Sequence, residues 1–298
     1  MSRWGRWFGL GSRNSDEELL RSLLVMAWMV EARDPYTGGH LWRVAQMVRV
    51  LAADAGLSQA EVARASISGF LHDLGKVAVS DAVLRKPGPL DDTEYAEIKT
   101  HPDAGWRMLV GHPLAHLVES GVRCHHERPD GRGYPRGLTH DEIPRDALLI
   151  SIADAFDAMT STRPYRAGMP IADALDVIGE NLGTQFDEEW GRRFMALGRA
   201  GAFDHIVGHS DDGLPLQECP ACPPGPILAI QRDQKVGDSI YCRACGGQFR
   251  MTALSADGEA KLEFERMADP DGLAPTVDTG LIERFVGDAA RALHHHLR

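Results

Sequence analysis

Residues 147–160 read ALLISIADAFDAMT, and this stretch decides the fold. Leu148, Leu149, Ile150, Ile152, Ala153, Ala155, Phe156 and Met159 leave little polar surface on such a helix, so it should be buried almost all round. Asp154 sits in its middle. A buried, unpaired carboxylate is costly, so Asp154 needs a cation, which a metal held by imidazoles and carboxylates would supply. A helix of this kind needs other helices around it, and the flanking sequence provides them. Ser15-x-x-Glu18 has the capping-box pattern and opens a helix with the stripe Leu20, Leu23, Leu24, Ala27, Val30. A second helix follows Gly38-Gly39 with Leu41, Val44, Ala45, Val48, Leu51 and Ala52, and a third runs over about 59–74 with Ala63, Ile67, Phe70, Leu71 and Leu74. Helical periods recur at about 92–100, 102–110, 113–127, 171–182 and 187–198. No period-two strand is read before residue 226, so the first 205 residues read as all-α.

The whole chain has 298 residues, 32 Lys plus Arg and 43 Asp plus Glu, a balance of −11. Apolar residues make up 43% and charged residues 25%, a globular composition. The acidic balance argues against general nucleic-acid coating, which needs cations against phosphates, and leaves room for a local phosphate site. The apolar run 23–30 is too short to span a bilayer, and no secretory signal is read at the start; with paired cysteines that suit metal more than disulfides, the expected location is cytoplasmic. Residues 1–14, with Trp4, Trp7 and Phe8 among arginines, read as a separate basic aromatic segment that could touch a surface or partner or simply be a loosely packed terminus. Composition shifts after His209 to Asp, Gly, Pro and Cys. Short β-type runs then follow at 227–231, 239–241 and 248–252, and a last helix at about 279–297.

His40, His72, Asp73, His101, His125 and His126 join Asp154 as residues set beside apolar neighbours that should face the core. A lone histidine on an apolar face is usually a hydrogen-bonded core residue. That reading suits His112, His116, His140 and His205, whereas for these seven it would require several independent burials of polar groups in one helical domain. Seven ligands are too many for one ion. Asp73 has two oxygens and lies mid-set, so it could bridge two ions about 3.5–4 Å apart, with a hydroxide between them as nucleophile.

The second constellation is Cys219-x2-Cys222-x19-Cys242-x2-Cys245, a zinc-ribbon spacing whose four thiolates close a structural zinc site. Cys124 reads as a buried thiol. The expected division is residues 1–14, a helical domain at 15–205, a small β zinc-ribbon-like module at 206–253, and a linker with the C-terminal helix at 254–298.

The helical part resembles the HD superfamily of metal-dependent phosphohydrolases. The resemblance rests on His40…His72-Asp73…Asp154, His101-Pro102 and His125-His126-Glu127. It extends to the HD-GYP subfamily through Asp130-Gly131-Arg132-Gly133-Tyr134-Pro135 and Arg163-Pro164-Tyr165-Arg166. The resemblance implies a mainly α fold and a phosphodiesterase for cyclic di-GMP with a centre of two or three divalent ions, usually iron or manganese. One ion would be held by His40, His72, Asp73 and Asp154, the other by Asp73, His101, His125 and His126. It places Lys76 beside the scissile phosphate, and Arg163 and Arg166 as phosphate-binding cations. Members with three metals carry a glutamate four residues before the first histidine. Here that position is Tyr36, so two metals are expected, and the product could be pGpG or GMP. Tyr134 would order its loop or touch a guanine, and the charges over 123–166 balance at seven Arg against seven acids. Two alternatives stay open: a weakly active cyclic di-GMP sensor signalling through the ribbon, and a hydrolase of another cyclic dinucleotide such as cyclic GMP-AMP. A protein partner could meet the Gly-Tyr-Pro loop or the ribbon, no stable membrane insertion is expected, and oligomeric state is not read from the sequence.

Overall fold

A computed structural model describes residues 13–34, 38–86, 88–162, 166–222 and 227–293. The expectations that concern residues 1–12, Tyr36, Arg163 and the end of the last helix lie outside the described residues. The helical part comprises α1 (Arg13–Glu31), α2 (His40–Asp54), α3 (Gln59–Leu71), a 3-10 turn at Leu74–Ala78, α4 (Asp81–Leu84), α5 (Asp92–Ile98), α6 (His101–Leu109), α7 (Ala115–Cys124), α8 (Arg145–Thr160), α9 (Ile171–Glu180) and α10 (Glu188–Arg199). α1 begins two residues before the expected cap at Ser15. The third helix stops at Leu71, and the chain tightens into the 3-10 turn three residues later.

Two helices form the middle of the bundle. α2 buries Leu41, Trp42, Val44, Ala45, Met47, Val48, Leu51 and Ala52, and α8 buries Leu148, Leu149, Ile150, Ile152, Ala153 and Phe156. The Phe156 ring meets Phe194 of α10 and Phe203 beyond it at centroid distances of 5.1 and 5.8 Å, geometry that aromatic pairs favour. Helix starts are fixed by side chains. Ser58 and Glu61 form a reciprocal capping box on α3, Asp91 and Glu94 form another on α5, and Asp187 accepts from Trp190 N to start α10.

Strands begin earlier than the sequence suggested, though within the expected module. β1 (His209–Asp211), β2 (Leu214–Pro215) and β3 (Gln217–Glu218) all precede residue 226, and elements of two or three residues show no periodicity to read. β4 (Ile227–Leu228) pairs antiparallel with β3. β5 (Ser239–Tyr241), β6 (Gly247–Leu254) and β7 (Ala260–Met267) form an antiparallel sheet in the order β5-β6-β7. Residues 260–267, expected within a linker, are therefore one of its two edge strands. A short turn, α11 (Pro270–Leu273), leads to α12 (Thr279–Leu293).

α12 returns to the helical bundle. Leu281, Ile282, Phe285, Val286, Ala289 and Leu293 join its apolar core, Phe285 lies 5.0 Å from Phe70 of α3, and Arg21 of α1 donates to Glu283 at 2.6 and 2.8 Å. No helix among the described residues is long and apolar enough to cross a membrane.

The 3-10 turn is docked on α6 at a glycine. A Cβ on Gly75 would meet His101 O at 1.8 Å and Gly105 N at 2.5 Å, both backbone. Gly75→Ala should therefore force the turn off α6 and cost about 2–3 kcal/mol, whereas Gly88→Ala, with nothing within 4 Å, should stay within about 0.5 kcal/mol. Urea denaturation of the two variants checks this.

Candidate metal centre and active site

The histidines stand at helix ends, and the ends orient them. His72 caps the C-terminus of α3 and its Nδ1 donates to Gly69 O at 2.7 Å. His125 caps α7 and its Nδ1 donates to Gly121 O at 2.8 Å. His101 opens α6, and its Nδ1 donates back to Ile98 O, the last residue of α5, at 2.8 Å. The last carbonyls of a helix lack intrahelical partners, and here three of them hold imidazoles. His40, the first residue of α2, donates its Nδ1 to the Asp157 carboxylate at 2.7 Å. Every one of these Nδ1 atoms carries its proton outward, so each neutral ring presents a bare Nε2 lone pair inward.

Those inward atoms converge on Asp73. Asp73 Oδ2 lies 3.5 Å from His40 Nε2 and 3.4 Å from His72 Nε2, and its other oxygen lies 3.4 Å from His101 Nε2. His101 Nε2 and His125 Nε2 face each other at 3.1 Å. His126 completes the second group, its ring 4.1 Å from His125 and 5.0 Å from His101. The ligand atoms of His40, His72 and Asp73, and separately those of His101, His125 and His126, all lie within 4.8 Å of one another. Asp154 Oδ1 is 3.5 Å from His40 Nε2 and 3.7 Å from His72 Nε2.

This donor set fits metal cations. His72 Nε2 is buried without a hydrogen-bond partner. The facing His101 and His125 nitrogens both lack a hydrogen when their Nδ1 atoms donate, so their lone pairs oppose one another unless a cation lies between. A proton is a poor candidate for that cation. Burial pushes His101 down to about 4 and His126 to about 3, and burial with the neighbouring rings holds His125 well below its ordinary value. Near the carboxylates the sign reverses. Burial opposes charge on His72 and His40, but Asp73 and Asp154 raise His72 to about 10, and Asp157 and Asp73 raise His40 to about 8.

Of the two acids that α8 turns toward the centre, the fully buried one is Asp157, not Asp154. Asp154 keeps a side chain 21% exposed at the centre's edge, whereas Asp157 is 1% exposed. Asp157 has its own cation. Arg43, itself 2% exposed, donates its Nε to Oδ1 at 2.5 Å and Nη2 to Oδ2 at 3.1 Å. Arg43 Nη1 also donates to Gly38 O and His209 O, both at 2.9 Å, tying the turn before His40 to β1. Sequence reasoning missed this pair. Its signal was a second acid on the buried helix and an arginine three residues after His40 on an apolar one.

Glu31 and Glu127 were also unassigned. Glu31 Oε1 accepts from Leu41 N at 3.2 Å, capping α2 where Gly39 has no side chain to do so; burial pushes its pKa up to about 7. Glu127, 1% exposed, accepts from Arg136 N at 2.7 Å and Leu138 N at 2.9 Å, which fixes the loop carrying Gly133-Tyr134-Pro135. Within that loop a Cβ on Gly133 would meet Arg128 N at 2.4 Å, so only glycine lets it fold against the His125-His126 segment. The Tyr134 ring stacks on His126 at 4.6 Å and 26°.

Of the remaining candidates, Lys76 Nζ donates to Asp73 Oδ2 at 2.5 Å. Arg166 Nη2 donates to Ala158 O and Met159 O at the end of α8. Among the described residues none of its hydrogen bonds reaches the histidine cluster. The four module cysteines come together separately, with Sγ atoms of Cys222 and Cys219 3.4 Å apart, Cys219 and Cys245 3.8 Å apart, and Cys222 and Cys242 3.8 Å apart.

A family model for the HD domain matches residues 24–190. The chain belongs to the HD domain family. The resemblance to the HD superfamily is borne out with it, and HD domain membership implies divalent metal binding. The HD domain chain is 40% identical over 172 residues to 3′3′-cGAMP-specific phosphodiesterase 3 of Vibrio cholerae, covering 58% of this chain and 37% of that protein. It is 38% identical over 181 residues to the cyclic di-GMP phosphodiesterase response regulator RpfG of Xanthomonas campestris, covering 60% and 48%. It is 35% identical over 184 residues to a cyclic di-GMP phosphodiesterase of Thermotoga maritima, covering 61% and 50%. The match thus spans between about a third and a half of these relatives.

Breaking the Arg43–Asp157 pair from one side leaves a buried charge. Arg43→Met should destabilise the fold by about 3–5 kcal/mol. Adding Asp157→Leu should recover part of that loss, because the uncompensated carboxylate goes with it. A double-mutant cycle by chemical denaturation reads both.

Proposed function

We propose that this chain is a metal-dependent phosphodiesterase for cyclic dinucleotides, with cyclic di-GMP as substrate. The observation that carries the reading is the pair of facing Nε2 atoms of His101 and His125, joined through Asp73 to His40 and His72. Such an array of imidazole nitrogens and carboxylate oxygens suits cations. In this reading His40, His72, Asp73 and Asp154 hold one divalent ion, and Asp73, His101, His125 and His126 hold the other. A nitrogen and oxygen donor set without thiolates supports iron or manganese. Divalent ions held there would supply Lewis acidity toward phosphoryl oxygens and toward an attacking water.

The protein's own groups have separate tasks. Lys76, held by Asp73, donates to a phosphoryl oxygen and steadies the charge that develops on it. Asp157, braced by Arg43, keeps the His40 ring in the tautomer that faces inward. Glu127 holds the Gly-Tyr-Pro loop so that Tyr134 walls the His126 side of the site. Arg163 and Arg166 remain the candidates for the second phosphate, and for Arg166 this requires release from the α8 carbonyls. One cut opens the ring to pGpG and a second yields GMP. The relatives' names divide between cyclic di-GMP and 3′3′-cGAMP, so cGAMP is the second substrate to assay.

The same reading divides the chain into a helical HD domain and a cysteine module. The module's four thiolates suit a closed, structural zinc site, and a sheet this small needs such a staple.

Protein loaded with manganese or iron should convert cyclic di-GMP to pGpG or GMP by chromatography, and Asp73→Asn should lose at least about a hundredfold in rate, on the scale of a lost metal-supporting group. No product with either metal, or an Asp73→Asn variant as fast as the parent, overturns the proposal. Separately, native mass spectrometry should find one zinc per chain that is absent from a Cys242→Ser variant.

A further inference from the structure

The outer edge of the site carries a cation that the proposed reaction does not yet use. α5 ends at Ile98, and Lys99 follows as its C-cap, two residues before His101. Its ammonium lies 4.4 Å from the centroid of the Tyr95 ring and 5.7 Å from that of Tyr134. Tyr134 in turn stacks on His126. A line of groups therefore runs outward from the imidazole cluster: His126, Tyr134, Lys99, Tyr95. Tyr95 is 46% exposed at its end. Among the described residues Lys99 makes no ion pair. In a chain with an excess of acids, this ammonium is seated on two phenol rings and not on a carboxylate.

The geometry points to a purine-recognition platform at the mouth of the metal centre, in which the Tyr95 ring stacks on a base and the Lys99 ammonium donates to its acceptor edge, favouring guanine over adenine. This rests on the cyclic-dinucleotide reading and refines it. A cyclic dinucleotide with one phosphate at the cluster must extend its bases away from it, and the line of rings offers aromatic faces and a donor along that direction. Aromatic faces accept any base. An ammonium only donates. Guanine shows two acceptors, O6 and N7, on the same edge, whereas adenine replaces O6 with an amino donor. Lys99 therefore discriminates where Tyr95 does not. Before a base arrives the ammonium rests on the two rings by cation–π contact, and its flexible stem lets it leave the Tyr95 face to meet the base edge.

The test uses the full chain with cyclic di-GMP, cyclic di-AMP and bis(p-nitrophenyl) phosphate, a diester without a purine. Lys99→Ala should lower kcat/KM for cyclic di-GMP about tenfold, mainly through KM. It should narrow the ratio between cyclic di-GMP and cyclic di-AMP by a similar factor, and Lys99→Arg should restore most of that ratio. Tyr95→Ala should lower both cyclic substrates alike, with Tyr95→Phe restoring them. In each case the loss on the cyclic substrate should exceed the loss on the purine-free diester. Equal losses on all three substrates, or no change in the guanine-to-adenine ratio with Lys99→Ala, overturn the platform. A parent protein that cleaves the purine-free diester and neither cyclic di-GMP nor, assayed in parallel, 3′3′-cGAMP overturns instead the substrate reading beneath it.

Discussion

Four imidazoles whose outer nitrogens are all engaged must turn their inner nitrogens toward one another, and the rest of the molecule is arranged to sustain that. Gly69 O, Ile98 O and Gly121 O belong to the last turns of three different helices. Those carbonyls would otherwise need water or a cap. By taking them, His72, His101 and His125 satisfy the helix ends and fix their own tautomers together. The arrangement is local for each ring, since each anchor lies three or four residues before its histidine. It becomes collective because α3, α5–α6 and α7 end near the same point. The convergence is unfavourable while the centre lacks a cation, which makes metal binding and local order parts of one equilibrium.

The parts of this that the sequence displayed are the parts with strong local patterns. α8 is apolar almost all round and α2 carries a long apolar stripe, and the histidines stand out against those neighbours. The supporting groups were hidden for a physical reason. Arg43 looks like a residue that would reach water, as Arg49 on the same helix does, and nothing local says that its guanidinium is instead covered by α8 and β1. Asp154 and Asp157 are three residues apart on the same helix, so both lie toward one side. Burial on α8 is graded by depth, and only the packed structure separates the edge position from the deep one. β7 was missed on similar grounds. Ala260, Leu262 and Phe264 do alternate with Lys261, Glu263 and Glu265, but the pattern breaks at Arg266-Met267, and the strand is exposed along most of its length, with no fully buried face behind the signal.

The cysteine module and the helical bundle meet at the chain segment that leads into His40. Arg243, on the second cysteine knuckle, donates to Ala32 O at the end of α1 and to Leu273 O beyond the sheet. Gly39 has a φ of 76° and lies against Ser210 so closely that a Cβ would sit 2.7 Å from its Cα. Arg43 reaches His209 O from the other side of the same turn. The position of His40 thus depends on residues more than 160 places later in the chain, and α12 returns to pack on α1 and α3. That long-range closure explains why a small module can be structurally important to a site to which it contributes no ligand.

Chemistry at phosphorus is indifferent to the base attached to the sugar. Two proteins with the same cage of imidazoles and carboxylates can therefore act on different cyclic dinucleotides, and relatives named for cyclic di-GMP and for 3′3′-cGAMP both match this chain. Discrimination has to come from groups that meet the base edge, and those lie outside the cage, on elements free to vary without disturbing it. The end of α5 is such an element. It delivers Ile98 O inward to orient His101, and one residue later it presents Lys99 outward between two rings. A substitution at residue 99 changes what the mouth of the site can donate to a base, while the carbonyl that aligns the metal-facing imidazole stays where the helix end puts it.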